Sequence, residues 1–117
     1  MKKTIKSNMM KLVVLCLLML SSATTLAQEQ YGGLALYTVR NDMGVDAKAT
    51  LASVAEIGYQ NIEAAGYKDG KYYNMAPEEF KKYLKEVKLT PISTHQSDIT
   101  IDDADKMFAD AKAAGFE

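Results

Sequence analysis

The stretch Leu89-Thr90-Pro91-Ile92-Ser93-Thr94-His95-Gln96-Ser97-Asp98 decides the fold, because it predicts a strand that carries the chain's only histidine to its C-terminal end. β-Branched residues suit a pleated backbone, Pro91 is tolerated near the start of a strand, and the polar residues after His95 end the run. A parallel sheet places its chemistry just beyond the carboxyl ends of its strands. The alternative, equally weighted on position alone, is a histidine that only forms a hydrogen bond at the edge of a loop.

Two further strands are predicted before this one. Residues 34–39 are almost continuously apolar or aromatic, which is typical of a strand buried on both faces, and residues 59–65 predict a shorter strand. Residues 66–75 have neither a helical nor a strand period and predict a long loop. Phe116 and Glu117 predict the first step into a fourth strand.

Helices are predicted between these strands, over residues 47–57 and 77–88, and a third one follows Thr100. Asp46 is a typical N-cap for the first helix, and Gly58 is a typical stop. The other start and stop signals are Pro77 at a first helical position, the segment Thr100-Ile101-Asp102-Asp103 that resembles a capping box, and Gly115 at the end of the third helix.

The order of elements is therefore a βα repeat, in which Leu36, Ile62 and Ile92 recur at intervals of 26 and 30 residues. Such alternation requires a parallel sheet, either an open doubly wound sheet or a (β/α)8 barrel. The residues after the first strand have neither the GxGxxG nor the P-loop spacing, which lowers the odds of a nucleotide-binding open sheet.

The N-terminal residues 1–27 have the pattern of a secretory signal peptide. A basic start precedes an apolar run over residues 12–20, and Thr25-Leu26-Ala27 is a small-x-small cleavage site. We predict cleavage after Ala27, with Ala23 as the alternative, and a periplasmic or secreted product that is not held in the membrane. Cys16 would leave with the signal, so the mature chain would have no cysteine and no disulfide.

The predicted mature chain, residues 28–117, is acidic. The segment removed carries four lysines and no acidic residue, which leaves ten basic and fifteen acidic side chains and a net charge of −5. A nucleic-acid partner is therefore not expected, since a phosphate-binding face needs an excess of basic residues. Ninety residues are enough for one small domain but few for two complete layers of helices around a sheet.

The chain resembles the N-terminal part of the sugar phosphate isomerase/epimerase family. The resemblance extends over residues 32–117 and is carried by four motifs in order: Gly33-Leu34-Ala35-Leu36-Tyr37-Thr38-Val39-Arg40, Ala55-Glu56-Ile57-Gly58-Tyr59-Gln60-Asn61-Ile62-Glu63-Ala64-Ala65-Gly66-Tyr67, Ala76-Pro77-Glu78-Glu79-Phe80-Lys81 and Ser93-Thr94-His95.

The resemblance implies the βαβαβα opening of a truncated α/β fold, a xylose isomerase-like (β/α)8 TIM barrel of which about three units are present. It implies aldose–ketose isomerisation or epimerisation of a small sugar or sugar phosphate, with a divalent metal (Mn, Mg, Co or Zn) at the barrel mouth. The family's metal ligands come mostly from later strands. We therefore expect a fragment of an exported metal-dependent isomerase or epimerase that binds no metal alone and is inactive as given.

Five residues are candidates for contact with substrate. The resemblance favours His95 at the end of the third strand, and Glu63 closes the second strand, although a glutamate there is as often a salt-bridge or capping partner. Tyr37 and Arg40 could contact a sugar hydroxyl or a phosphate; the plainer alternatives are packing for Tyr37 and an ion pair with Asp42 for Arg40.

The fifth candidate, Tyr67, lies in a loop with Tyr72 and Tyr73, and these three tyrosines are candidates for a lid that stacks on a sugar ring. Tyrosines that only cover the barrel rim are at least as probable a reading. Met107 and Phe108 lie on the apolar stripe of the third helix and are predicted to be core.

Two other functions are compatible with the sequence. One is a barrel that binds carbohydrate without catalysis, and apolar residues at the missing strand ends would favour it. The other is a small α/β interaction module, which would leave an open sheet edge beside Glu117 through which copies could associate. DNA repair by a related barrel is not expected, given the predicted export and the acidic charge.

Overall fold

A computed structural model describes residues 1–20, 31–96 and 99–117, without the side chains of residues 14–20 and 31. The first helix, α1, covers Lys2–Leu20. In the part of the chain that is described, no helix has the length and apolar character needed to cross a bilayer. The predicted cleavage sites after Ala23 and Ala27 lie outside the described residues.

Strands and helices then alternate, and the structure adds a short helix at Arg40–Val45 where no helix is predicted. The strands are β1 (Tyr31–Ala35), β2 (Tyr59–Ala64), β3 (Tyr67–Lys68), β4 (Lys71–Tyr72) and β5 (Thr90–Thr94). The helices are α2 (Arg40–Val45), α3 (Ala47–Ile57), α4 (Pro77–Val87) and α5 (Ile101–Ala114), and a 3-10 helix at Leu36–Val39 precedes α2.

The main sheet is parallel, in the order β1-β2-β5, with α3 connecting the first two strands and α4 connecting the next two. Leu34 pairs with Ile62 in the register of β1 and β2, and Ala64 pairs with Thr94 in that of β2 and β5. Consecutive parallel strands joined by helices are the repeating unit of a barrel wall. The predicted fold class, the βαβαβα portion of a TIM barrel, is confirmed.

The local signals at the helix ends act largely as predicted. The Asp46 side chain accepts a hydrogen bond from the backbone N–H of Ala49 at 3.0 Å, and α3 ends at Gly58 with a φ of 121°. Gly115 ends α5 with a φ of 97°. At the start of α5 the Thr100 hydroxyl donates to the carboxylate of Asp103 instead of capping a backbone N–H.

Three predicted elements differ from the structure. The strand predicted at 34–39 stops at Ala35, where the chain enters a 3-10 helix. Leu36 is completely buried there while Tyr37 is exposed, and an apolar run does not by itself distinguish a strand from such a helix. The predicted loop 66–75 contains the antiparallel hairpin β3-β4. Phe116 and Glu117 form no strand, and Phe116 turns into the core.

An aromatic cluster forms the centre of the core. Tyr72 is completely buried and stacks on Phe80, with ring centroids 5.2 Å apart, and Phe116 lies 5.3 Å from Tyr72. Phe108, predicted to be core, is instead 74% exposed, and Met107 is half-buried. The helical period identified an apolar stripe on α5, but only part of that stripe has a neighbouring element in the described chain.

Candidate functional site

The carboxyl ends of β1, β2 and β5 open onto one cavity of about 530 Å³, called the mouth cavity below. Parallel strands end at the same edge of a sheet, so residues that are distant in sequence meet there. The residues that line the cavity are Ala35, Tyr37, Thr38, Glu63, Ala65, Tyr67, His95 and Gln96. Four of the five candidate residues are thus brought together, and Arg40 lies in an adjacent cavity.

His95 is positioned by the backbone. Its N–H donates to the carbonyl of Ala64 at 2.7 Å, which continues the pairing with β2 one residue beyond the end of β5. The imidazole is exposed. It lines both the mouth cavity and a neighbouring cavity beside α5 that includes Met107 and Phe108. A side chain on a fixed backbone at a strand end is well placed to contact a small ligand.

Glu63 is positioned by its side chain. Ser93 on the neighbouring strand donates its hydroxyl to Glu63 Oε2 at 2.7 Å, and both residues are half-buried. Such a hydrogen bond to a charged oxygen orients the carboxylate without neutralising it. The alternatives for Glu63 are a salt bridge and a helix cap, but the contact in the structure is this hydrogen bond from Ser93. The arrangement places a carboxylate in the mouth cavity, where it can accept a proton or a sugar hydroxyl.

The Tyr67 hydroxyl is bound within the protein. It donates to Asp110 Oδ2 at 2.6 Å, and burial together with this hydrogen bond raises the pKa of Tyr67 to about 12. Although partial burial of Asp110 opposes it, the hydrogen bonds from Lys106 and Tyr67 hold the pKa of this carboxyl below its usual value. Tyr67 therefore contributes its ring to the cavity, while its hydroxyl joins β3 to α5.

The other two loop tyrosines do not form the lid that was considered for them. The prediction of a lid is wrong for Tyr72, because this residue is buried in the aromatic cluster. The Tyr73 hydroxyl accepts the backbone N–H of Ala65 at 2.8 Å, which fixes the chain where it leaves β2. The Tyr73 ring also occupies the space beside Gly66, where an added Cβ would lie 2.2 Å from it.

Tyr37 and Arg40 interact with each other at the rim. The guanidinium lies 4.7 Å from the centroid of the Tyr37 ring, and its Nη1 donates to the Tyr37 carbonyl at 3.2 Å. The salt bridges found in residues 31–96 and 99–117 do not include the Arg40–Asp42 pair that was the alternative. Tyr37 is 62% exposed, so it is not a packing residue.

The described residues do not provide a complete metal site. Within them, no three His, Cys, Asp or Glu side chains cluster closely enough to hold a metal ion. The mouth cavity contributes one carboxylate, Glu63, and one imidazole, His95. A zinc site uses three or four protein ligands, which is more than these two side chains supply.

Sequence reasoning missed the residues that support the site. The strand pattern and the motif Ser93-Thr94-His95 place Ser93 in the sheet, but nothing in a single sequence pairs it with Glu63, which lies 30 positions away. Asp110 was likewise not singled out. The hairpin β3-β4 that carries Tyr67 did have a signal in the sequence, since the Asp69-Gly70 dipeptide is typical of a two-residue hairpin turn.

The fold and the cavity define the class: the opening part of a (β/α) barrel with its candidate site at the carboxyl ends of the strands. Two solved structures, both sugar phosphate isomerases/epimerases from Parabacteroides distasonis, are similar to this chain. One is 24% identical in sequence with a TM-score of 0.59, and the match covers 75% of this chain and 39% of the length of that protein. The other is 23% identical in sequence with a TM-score of 0.51, and the match covers 79% of this chain and 36% of the length of that protein.

At these identities the likeness establishes the fold. The chain spans less than two fifths of the length of either structure, which agrees with the predicted N-terminal part of the barrel. No protein-family profile matches the chain, and no curated protein matches it.

Proposed function

We propose that this chain is the N-terminal part of an exported sugar phosphate isomerase/epimerase and that it contributes one side of the sugar site. The observation that carries the proposal is the convergence on one cavity of Tyr37, Glu63 and His95, which lie at or just beyond the ends of β1, β2 and β5, together with Tyr67 of the hairpin strand β3. The names of the two similar structures supply the substrate class, a small sugar or sugar phosphate.

Each residue has a role that its geometry supports. Exposed Tyr37 and the ring of Tyr67 offer apolar faces to a sugar ring, on which C–H groups pack. Glu63, oriented by Ser93, accepts a hydroxyl or takes a proton next to a carbonyl. His95 can donate a hydrogen bond through one ring nitrogen and accept one through the other.

Catalysis is not proposed for the chain alone. Isomerisation through an enediolate needs stabilisation of the oxygen on which charge develops, and a divalent metal is the family's means. The mouth cavity is lined by one carboxylate and one imidazole, and no cluster of three such side chains occurs in the described residues, so the proposed role is to bind and orient the sugar. We propose that the purified chain has no isomerase activity.

Sugar binding can be tested by ¹H–¹⁵N NMR titration of the full chain with a panel of neutral aldoses and ketoses. The expected result is saturable shifts at residues 37, 63 and 95 that are lost in Glu63→Gln and in His95→Gln. Glu78→Gln, which changes an exposed carboxylate in the first turn of α4, is the matched control. Absence of shifts for every sugar, or equal shifts in all three variants, would contradict the proposal.

Export is proposed from the N-terminus. The lysines at the start of α1 precede an apolar run, the arrangement of a signal peptide. Expression of the full chain in a Gram-negative host, followed by mass spectrometry of the periplasmic fraction, should give a product that begins at Gln28. A chain that keeps residues 1–27 and stays in the cytoplasm would be the opposite outcome.

A further inference from the structure

One wall of the mouth cavity is a short stretch of chain between β2 and β3. Glu63, Ala65 and Tyr67 all line the cavity, and they are alternate residues of this stretch. Residues 63–67 are called the wall segment below. Ala65 and Gly66 belong to neither strand, so strand pairing does not by itself set the distance between the Glu63 carboxylate and the Tyr67 ring.

Tyr73 holds the wall segment through three contacts. Its hydroxyl accepts the backbone N–H of Ala65 at 2.8 Å, and its own backbone N–H donates to the Gly66 carbonyl at 3.0 Å. Its ring lies so close to Gly66 that an added Cβ there would be 2.2 Å from the ring. Both residues between the two strands are therefore bound to Tyr73.

The turn that carries Tyr73 has an unusual backbone for its sequence. Tyr72 and Met75 exchange two backbone hydrogen bonds of 2.9 Å. Tyr73 and Asn74 are thus the central residues of a two-residue turn, with φ angles of 50° and 65°. A turn with positive φ at both central residues prefers Asn-Gly or Asp-Gly, as at Asp69-Gly70 in this chain, and a bulky residue with positive φ is an outlier.

Local turn chemistry therefore does not explain a tyrosine at position 73. Residues in such backbone regions persist where the surrounding contacts over-determine them, and they are concentrated at functional sites. The contacts of Tyr73 are those with the wall segment and one with the Phe80 ring, whose centroid lies 5.9 Å away. The unfavourable φ is thus kept at the residue of this turn that binds the cavity wall.

We infer that Tyr73 is a positioning residue of the mouth cavity, which fixes the wall segment so that the Glu63 carboxylate and the Tyr67 ring can contact one sugar together. The part that concerns the sugar rests on the proposed function. Tyr73 is not among the residues that line the mouth cavity, so it acts through those that do. Ser93 and Asp110 bind the two ends of the wall segment, and Tyr73 binds its middle.

The test begins with the free chain and the variant Tyr73→Phe, which keeps the ring and removes only the hydroxyl. Tyr83→Phe is the matched control, because the Tyr83 hydroxyl also bonds the backbone at 2.8 Å, at the Lys48 carbonyl, outside the mouth cavity. Amide hydrogen exchange of the full chain is followed by ¹H–¹⁵N NMR. Exchange at Ala65 should become about fivefold faster in Tyr73→Phe, the factor that one neutral hydrogen bond is worth, and stay unchanged in Tyr83→Phe.

Titration with neutral aldoses and ketoses then measures the effect on the sugar site. In Tyr73→Phe the sugar-induced shifts at residues 63 and 67 should shrink, and the affinity should fall by about the same factor of five. Tyr83→Phe should match the unaltered chain. The titrations are run at a temperature at which circular dichroism shows both variants to be folded, because a residue with only a structural role lowers the Tm without changing the sugar affinity of the folded chain.

The outcomes separate this inference from the proposed function. Unchanged exchange and unchanged amide shifts at residues 63–67 in Tyr73→Phe overturn the inference, whether or not a sugar binds. Faster exchange at Ala65 with an unchanged sugar affinity makes Tyr73 a structural residue and also overturns it. If no sugar binds the unaltered chain, the proposed function fails, and changes confined to residues 63–67 in Tyr73→Phe still support Tyr73 as the residue that fixes the wall segment.

Discussion

Replacement of Tyr67 by Phe tests how the hairpin is attached to the last helix. The change removes one hydroxyl and keeps the ring, so the loss is confined to the 2.6 Å hydrogen bond to Asp110. Hydrogen bonds to a charged group contribute about 1.5–3 kcal/mol. Because Tyr67 is only half-buried and Asp110 keeps its contact with Lys106, we expect the lower end, a loss of about 1.5 kcal/mol.

The assay is urea unfolding of the full chain followed by circular dichroism. With a slope of about 1 kcal/mol per molar urea, at the low end for small proteins, the midpoint should fall by about 1.5 M. Tyr37→Phe is the matched control, since its ring is exposed on the same cavity, and its free energy of unfolding should stay within about 0.5 kcal/mol of that of the unaltered chain. A Tyr67→Phe midpoint equal to that of Tyr37→Phe would refute the reasoning.

The same contact predicts a pH dependence. The folded pKa of Tyr67 is raised to about 12 from 10.0, so the unfolded chain ionises first and stability falls as the pH rises from about 10 to about 12. The folded pKa of Asp110 is lowered from 3.8, so its contribution is present above that pH and is lost as acid protonates it in the folded state. Tyr67→Phe should lose the alkaline part of this dependence, as measured by unfolding at a series of pH values. An unchanged alkaline profile would count against the assignment.

Three other predictions concern the core, one glycine and activity. Phe80→Ala should cost about 3–5 kcal/mol in urea unfolding, since Phe80 is completely buried, whereas Phe108→Ala should cost under about 0.5 kcal/mol; equal costs would contradict the core assignment. Gly66→Ala should unfold well before Gly32→Ala in a thermal scan, because an added Cβ meets the Tyr73 ring at 2.2 Å at the first position and nothing within 4 Å at the second. The purified chain should show no turnover of common aldoses, ketoses or their phosphates with added manganese or magnesium. Measurable isomerisation in a coupled assay would overturn the proposal that the chain binds and orients the sugar without catalysis.

Part of the site could be predicted from the sequence, because it depends on which polar residues lie at the ends of predicted strands. Glu63 and His95 are polar residues near the ends of two predicted strands, and the βα alternation predicts that both lie at one edge of the sheet, as they do. What each side chain contacts was not predictable. Ser93 meets Glu63, and Asp110 meets Tyr67, across 30 and 43 positions of sequence.

The sequence by itself determined the alternation of the three parallel strands with helices α3, α4 and α5 and the helix boundaries at Asp46 and Gly58, because capping and periodicity depend on neighbours within a few residues. The tertiary structure decided which apolar residues are buried. Leu36 and Tyr72 are enclosed while Phe108 is exposed, although all three are apolar or aromatic in the sequence. Burial depends on what packs against a residue from elsewhere in the chain, and neither residue type nor local period contains that information.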